Sequence, residues 1–245
     1  MSLELASDRV SLPSQSVAIR RLQVLAPLGR EDLALLRELM GQKESVRVGT
    51  ELVADGEAAP RPRLILSGWA CRQRVLRDGR RQIFGFLLPG DMVGAPAGPL
   101  ASAAAVALTP LTLCEGTALS ELAARPHPRH PGLCEALARA RDLEAAALLD
   151  HVVRLGRQSA YERLAHLLLE LRERLGGSGR PDSEWFAMPL TQEVLADTLG
   201  LSIVHVNRTL QQMKRERLIE TRQGAVHLLQ PAVLASIADY RSPQG

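Results

Sequence analysis

The chain has 245 residues, of which 46% are hydrophobic and 23% are charged. This composition is typical of a folded protein with one large domain or two modest ones, and it excludes a chain that is disordered throughout. No apolar run reaches the ~18 residues of a membrane-spanning helix, and the first residues lack the basic and apolar segments of a secretory signal, so we expect a cytoplasmic protein. The 30 lysines and arginines and the 27 aspartates and glutamates are too evenly balanced to identify a nucleic-acid binder.

The three cysteines, Cys71, Cys114 and Cys134, are widely spaced and form no CxxC pair. Such spacing is typical of reduced thiols in a cytosolic protein rather than of a disulfide framework.

The first half of the chain is predicted to contain a short helix followed by many short strands. Residues 30–39 place leucines three residues apart, as in an amphipathic helix. Between residues 46 and 115, Gly, Pro and Asp cut the sequence into short apolar runs, which is typical of a barrel or sandwich. Asp78 and Gly79 lie between two of these runs. Because this dipeptide accepts the positive φ of a tight turn, we predict a β-hairpin there.

A long helix is predicted after a connection at residues 125–132, which contains three prolines. From residue 133 onward, apolar residues recur at intervals of three and four over roughly six turns. Such a narrow seam favours pairing with another helix, in particular across a dimer, and the alternative is packing against the chain's own barrel. The seam consists of Leu133, Leu137, Ala140, Leu143, Ala147, Leu148, Val152 and Leu155. A further helix, SAYERLAHLLLELRERL, is predicted before a glycine-rich stretch and Pro181.

Residues 190–218 have the pattern of a helix-turn-helix. Thr191 and Ser202 are suited to cap the first and the second helix, and Gly200 is suited to the left-handed turn residue between the two helices. The residues expected to face the core along the second helix are Ile203, Val206, Leu210 and Met213, which follow one another at intervals of three and four.

The other side of this second helix carries side chains that suit DNA bases. In the major groove, Arg pairs with guanine, and Asn or Gln pairs with adenine. Two short strand-like runs follow around Gln223 and Gly224, which predicts a β-hairpin wing. A helical hairpin used only for packing would not need these polar side chains together with a wing. The predicted base-contacting residues are His205, Asn207, Arg208, Gln211 and Gln212, and the predicted phosphate-contacting residues are Lys214, Arg215, Arg217 and Arg222.

These motifs, in this order, resemble the Crp/Fnr superfamily of bacterial transcription regulators over nearly the whole chain. The segment LILSGWACRQRVLRDGRRQIFGFLLPGD resembles the family's β-roll, and PLTQEVLADTLGLSIVHVNRTLQQMKRERLI resembles its more specific DNA-binding motif. The resemblance implies an α+β fold in which an N-terminal antiparallel, jelly-roll-like β-roll is joined by a long dimerisation helix to a C-terminal winged helix-turn-helix. The corresponding domains are residues 1–130, 131–156 and 157–245.

The resemblance also implies roles for single residues. Thr191 would contact a backbone phosphate, Ser202 would begin the recognition helix, and Arg208 would contact guanine. Well-known members have a glutamate at the position of Val204, and valine cannot accept a hydrogen bond from cytosine, so we expect a different base pair there. The residues implied for the groove are Val204, His205, Asn207 and Arg208, and His205 or Asn207 would supply part of the readout that Val204 cannot.

The sequence does not identify the signal that the β-roll would receive. Members that bind cyclic nucleotides use a glutamate and an arginine in the segment that corresponds to residues 92–109, which here contains no charged residue. A cyclic phosphate would be poorly compensated there, so we predict that the chain does not respond to cyclic AMP. An iron-sulfur cluster needs about four cysteines, which in this family usually lie near the N-terminus, and residues 1–70 contain none.

Two other sensor hypotheses remain. Cys71 could be a haem ligand or a redox thiol, although a lone cysteine on a strand is more often a core residue. His127, His130 and Cys134 have a spacing compatible with a metal, although exposed histidines in a connection between domains have the same pattern. We therefore predict no cofactor and no metal, and the effector stays unknown.

An enzyme is the competing class of function. The chain has no His-x-His, no GxSxG or HExxH motif, and no glycine-rich phosphate loop followed by Lys. We therefore predict a homodimeric, sequence-specific DNA-binding regulator that is not an enzyme, binds a near-palindromic operator and has RNA polymerase as a further partner. The alternatives are a ligand-independent regulator, whose β-roll is a structural or polymerase-contacting platform, and a haem- or redox-sensing regulator that uses Cys71.

Overall fold

The computed structural model describes residues 16–58, 60–94, 100–176 and 184–242. A domain of two four-stranded sheets and three short helices comes first, a 27-residue helix follows, and a helical unit with a three-stranded sheet comes last. The predicted α+β fold, with a β-roll, a long helix and a winged helix-turn-helix, is confirmed. Among the helices in the described ranges, none is long and apolar enough to cross a membrane.

The β-roll is formed by short antiparallel strands. These are β1 (Lys43–Val46), β2 (Glu51–Val53), β3 (Arg63–Ser67), β4 (Ala70–Val75), β5 (Arg81–Leu87), β6 (Met92–Val93), β7 (Ala104–Ala107) and β8 (Leu111–Glu115). One sheet has the order β1-β8-β3-β6 and the other β2-β7-β4-β5. Apolar residues of both sheets, among them Ile65 and Leu87, form one buried cluster. The predicted hairpin joins β4 to β5, and Gly79 in its turn has a φ of 84°.

Three short helices flank the roll: α1 (Val17–Leu25), α2 (Arg30–Leu39) and α3 (Thr117–Ala124). Helix α2 matches the predicted helix, whereas α1 and α3 are not among the predicted elements. Leu22 of α1 and Leu119 of α3 are fully buried in one cluster with the start of the long helix, so both helices complete the core of this domain.

The long helix α4 spans Pro131–Arg157, and its first residue is a proline, which fits the first helical turn because its missing N–H is not needed there. Its apolar seam is divided between two environments. Leu133 and Leu137 are buried against α1, α2 and α3, whereas Leu148 and Val152 are 50% and 63% exposed. Packing against its own domain therefore accounts for the first half of the seam only. We call the exposed set Leu148, Leu149, Val152 and Val153 the α4 apolar face.

The C-terminal unit is a winged helix-turn-helix. Its elements are α5 (Ala160–Gly176), β9 (Trp185–Ala187), α6 (Gln192–Leu199), α7 (Ile203–Arg215), β10 (Ile219–Arg222), β11 (Ala225–Leu228) and α8 (Pro231–Ala238). The sheet has the order β10-β11-β9. Strand β9 and helix α8 are additions to the predicted elements. Leu168 of α5, Val206 of α7 and Leu234 of α8 are fully buried in a common cluster. This cluster holds the helix-turn-helix against α5 and α8.

The joint between α4 and α5 is held by Arg163. Its guanidinium donates hydrogen bonds to the carbonyl oxygens of Leu155 (3.0 Å), Gln158 (2.8 Å) and Leu199 (2.9 Å). These carbonyls lie at the ends of α4 and α6, where backbone oxygens lack partners within the helix. One side chain therefore connects the long helix to the helix-turn-helix.

Candidate DNA-binding surface

Local capping chemistry builds the helix-turn-helix as predicted. Thr191 Oγ1 accepts a hydrogen bond from Val194 N (3.2 Å) at the start of α6, and Ser202 Oγ accepts one from His205 N (3.3 Å) at the start of α7. Between the helices, Gly200 has φ 63° and ψ 38°, the left-handed conformation that glycine adopts without steric cost.

Helix α7 buries one side in the domain, but the buried set differs by one residue from the predicted one. Val206, Leu210 and Met213 are at most 8% exposed, as expected. The prediction for Ile203 is wrong, because this side chain is 49% exposed. Ile203 is the first residue of the helix and lies beyond the edge of the core that the next turn contacts. Thr209 is buried in its place at 7% exposure, and its hydroxyl donates to the carbonyl of His205 (2.8 Å).

The opposite side of α7 is a continuous exposed surface. The six side chains predicted for the groove are all exposed, and Val204 is 68% exposed; they are Val204, His205, Asn207, Arg208, Gln211 and Gln212. The first turn contains no acidic side chain. The positive N-terminal end of the helix dipole is therefore not offset by a carboxylate within that turn. The structure thus brings these side chains together on one helix face that is open to solvent.

His205 is held in place by the capping serine. Its Nδ1 lies 3.2 Å from Ser202 Oγ. When Nδ1 accepts a hydrogen bond from the hydroxyl, the neutral ring carries its proton on Nε2, which is then a donor for a base acceptor. Gln212 differs from Gln211, because its Nε2 donates to Glu216 Oε1 (3.0 Å) and is thus engaged within the chain.

Glu216, the carboxylate just after α7, is held by Tyr161 of α5. The Tyr161 hydroxyl donates to the Glu216 carboxylate, and this hydrogen bond lowers the pKa of Glu216. Burial, followed by the same hydrogen bond, raises the pKa of the Tyr161 hydroxyl. The carboxylate therefore stays charged beside Arg215, where it offsets part of the basic charge at the end of the helix.

The wing is the predicted hairpin of β10 and β11, and Gly224 in its turn has a φ of 70°. The guanidinium of Arg222 lies 4.1 Å from the ring centroid of Trp185 on β9, in a cation–π contact. Lys214 is half-buried and Arg215 is exposed at the end of α7. The role of Trp185 was not predicted, since it depends on the pairing of β9 with β11, which joins residues about 40 positions apart in the chain.

The segment at residues 92–109 includes β6 and β7, and residues 95–99 lie outside the described ranges. Two arginines of β4 lie beside it, although they are about 20 to 30 positions away along the chain. Arg74 donates to the carbonyl of Ser102, and Arg72 forms an ion pair with Glu144 of α4. The cationic groups near this segment thus come from a different strand, and both contact partners within the chain.

Cys71 on β4 is fully buried and forms no disulfide. Burial raises the pKa of its thiol to about 11, so the thiolate that reacts with oxidants is disfavoured at neutral pH. This environment supports the interpretation of Cys71 as a core residue rather than as a redox thiol.

The second sensor candidate lies in the connection before α4. His127 N donates to Cys134 Sγ (3.4 Å), and His130 Nδ1 lies 3.4 Å from Asp32 Oδ1 on α2. Within the described part of the chain, no group of three or more His, Cys, Asp or Glu residues is arranged to hold a metal ion. The contact of His130 joins this connection to α2, and the contact of Cys134, in the first turn of α4, joins that helix to His127.

Comparison with known proteins gives the same domain order. A family model of the Crp-like helix-turn-helix domain matches residues 162–237, and one of the cyclic nucleotide-binding domain matches residues 43–118. The nitrogen fixation regulation protein FixK of Bradyrhizobium diazoefficiens is 32% identical over 90% of this chain and 92% of its own length. The transcriptional activatory protein AadR of Rhodopseudomonas palustris is 31% identical over 90% of this chain and 91% of its own.

A solved structure agrees with these sequence matches. FixK2 from Bradyrhizobium japonicum superposes with a TM-score of 0.70 and 26% identity, over 82% of this chain and 98% of that one. The names of these relatives describe regulatory proteins, of nitrogen fixation for FixK and of transcription for AadR. With a cyclic nucleotide-binding domain, a helix-turn-helix and full-length relatives above 30% identity, the chain belongs to the Crp/Fnr family of DNA-binding transcription regulators.

Proposed function

We propose that the protein is a homodimer that binds a near-palindromic operator through α7 of each subunit. The observation that carries this proposal is the division of α7 into a buried side and an exposed polar side. Its apolar residues hold the helix in the domain, and its hydrogen-bonding residues face solvent at the N-terminal turns. A recognition helix inserted into a major groove requires this arrangement.

The exposed side chains of α7 divide into base-reading and positioning groups. Arg208 is a fork of donors that suits guanine O6 and N7, and Asn207 suits adenine. His205, Val204 and Gln211 complete the groove contacts. The residues proposed for phosphates are Thr191, Ser202, Lys214, Arg215 and Arg222. The hydroxyl of Thr191 accepts a hydrogen bond in its cap and keeps its proton to donate to a phosphate oxygen. The single proton of the Ser202 hydroxyl goes to a phosphate oxygen only when it is not donated to His205 Nδ1.

Dimerisation is proposed through the α4 apolar face. Leu149 and Val152 are 70% and 63% exposed, and such a contiguous apolar surface on a helix is typical of an interaction site. A two-fold axis along α4 would place the two α7 helices in successive major grooves, about 34–36 Å apart.

The proposed regulator does not respond to cyclic AMP. Residues 92–109 contain no charged side chain, and the two arginines beside this segment are engaged, Arg72 by Glu144 and Arg74 by Asp55 and the carbonyl of Ser102. A cyclic phosphate would have to break contacts of one of these arginines to gain a cationic partner. These observations favour a regulator whose β-roll is a platform over one that binds a nucleotide. A cytoplasmic location and contact with RNA polymerase complete the proposal, supported by the relatives' description as transcription regulators.

The test is a selection of bound fragments from a random duplex DNA library at about 150 mM salt, where non-specific phosphate attraction is weak. Purified protein without added effector is expected to enrich a two-fold symmetric motif, and sedimentation equilibrium of the same sample is expected to give a dimer. Absence of any enriched motif, or a monomer that enriches an asymmetric one, would contradict the proposal.

A further inference from the structure

The helix-turn-helix contacts the β-roll of its own chain through α6. Arg81 is the first residue of β5. Its Nη2 lies 2.6 Å from Asp197 Oδ2, and its Nε lies 2.7 Å from the same oxygen. Glu193, one turn earlier on α6, lies 3.9 Å from the same guanidinium. Both members of the Arg81–Asp197 pair are about three-quarters shielded from solvent. A pair that is this well shielded is weakened less by salt than an exposed one.

Neighbouring contacts extend this interface. Gln82 Nε2 lies 3.4 Å from the carbonyl oxygen of Thr198 on α6 and 3.3 Å from His151 Nε2 on α4. The side chains of Ile83 and Leu195, 0% and 1% exposed, belong to one buried cluster. Strand β5 thus contacts both α4 and the first helix of the helix-turn-helix, α6.

This docking leaves both functional surfaces open. The groove residues of α7 are exposed, and so is the α4 apolar face, while α6 is held between the roll and α7. In a dimer, the distance between the two recognition helices depends on the angle between each helix-turn-helix and α4. A contact that fixes this angle reduces the conformational entropy that DNA binding would otherwise have to remove.

We propose that Arg81 and Asp197 are positioning residues for operator binding: their ion pair holds α7 in the orientation that spans two half-sites, without either residue touching DNA. This inference rests on the proposed dimeric function. It assigns to the β4–β5 hairpin a role in DNA binding that requires no ligand in the roll. It also predicts that the ion pair strengthens binding to a site with two half-sites and contributes much less to binding of a single half-site.

The test compares two DNA duplexes, the symmetric site enriched by the wild type and the same duplex with one half-site scrambled. For the variant Arg81→Glu, we expect affinity for the full site to fall about tenfold, with less than about a threefold loss on the half-site duplex. The double variant Arg81→Glu/Asp197→Arg restores the pair with reversed polarity and is expected to recover most of the full-site affinity. The thermal unfolding temperature of each variant shows whether a loss of affinity comes from unfolding or from an altered orientation of α7 in a folded protein.

The matched control is Arg80→Glu. It makes the same change of charge one residue earlier, but Arg80 is 77% exposed and pairs with Asp78 in its own turn. We expect its ratio of full-site to half-site affinity to equal that of the wild type. The inference is overturned if Arg81→Glu leaves that ratio unchanged, if it tightens full-site binding, or if the double variant fails to recover it. A wild type that shows no preference for the full site would instead contradict the dimeric reader, and the inference with it.

Discussion

The β-roll and the winged helix-turn-helix use their polar side chains in opposite ways. In the helix-turn-helix, Asn207, Arg208 and Gln211 lie exposed on one helix face. In the roll, Arg72 is paired with Glu144 and Arg74 contacts the carbonyl of Ser102. Side chains that already have partners within the chain are poor groups for recognising a ligand, since those contacts must first be broken. This contrast supports the proposed division of roles, in which the C-terminal unit recognises DNA and the roll is a platform.

The largest effect is expected at the proposed dimer surface, the α4 apolar face. The variant Val152→Asp would place a carboxylate in the α4 apolar face, and desolvating it without a partner should raise the dimer dissociation constant by about 100-fold or more. Sedimentation equilibrium measures this change, and full-site DNA affinity should fall with it. Val24→Asp, the same substitution at a 49% exposed valine of α1, is the control and should stay dimeric. A dimeric Val152→Asp protein would place the interface elsewhere.

The second prediction separates base readout from phosphate contact on α7. Arg208→Ala should weaken binding to the preferred site by ~1–3 kcal/mol and relax specificity at one base pair, because a bidentate contact to guanine is lost. Arg215→Ala should weaken binding to all sequences alike. Repeating the library selection with each variant measures both effects. Equal loss on every sequence for Arg208→Ala would remove its assignment as a base-reading residue.

The third prediction concerns the polar junction between the two units. Burial, and secondly the Arg154 cation, lowers the pKa of His151 from the ordinary 6.5 to about 4. Between pH 4 and pH 6.5, His151 is protonated in the unfolded chain but neutral in the folded chain. The free energy of unfolding should therefore fall as the pH decreases from about 6.5 to about 4. At about 1.4 kcal/mol for each pH unit between the two pKa values, the loss is of order 3 kcal/mol.

The variant His151→Gln should remove that part of the pH dependence. Urea unfolding at several pH values measures it, because carboxylate titration contributes equally to both proteins and cancels in their difference. At pH 7.5 the two proteins should differ only by the altered hydrogen bonds to Gln82 and Arg154. Parallel curves for the two proteins down to pH 4 would show that this ring does not resist protonation.

The smallest effect, none, is expected from cyclic AMP. Titration calorimetry should show no saturable binding, and operator affinity should be unchanged by the nucleotide, since Arg72 is engaged by Glu144. Tight saturable binding would overturn the division of roles drawn above, because the roll would then be a sensor.

Features that depend on neighbouring residues could be predicted from the sequence, and features that depend on distant ones could not. The caps at Thr191 and Ser202 act within three residues, so the helix pair was predictable in detail. The contact between Arg81 and Asp197 joins residues 116 positions apart, and no local pattern signals it. The spacing of the apolar residues in α4 also could not show which half of the seam packs against the β-roll domain.

Some errors have local physical causes. Ile203 fits the apolar spacing of α7, but it lies in the first turn, at the edge of the domain. The spacing of apolar residues along a helix does not show where the core ends. Helix α1 has apolar residues at Ala18, Leu22 and Leu25, so its signal was present in the sequence. For Cys71 the sequence indicated a strand, and only the structure shows complete burial.

The joint formed by Arg163 has a consequence for how this protein responds to ionic strength. The three acceptors of its guanidinium are neutral backbone carbonyls, not carboxylates. Salt screens interactions between charges and the attraction of cations to phosphate, but it weakens hydrogen bonds to neutral carbonyls far less. A salt jump that releases the protein from DNA should thus leave α4, α5 and α6 joined as before. Dissociation and rebinding would then proceed without refolding of the joint, and the protein could exchange between operators as a preassembled unit.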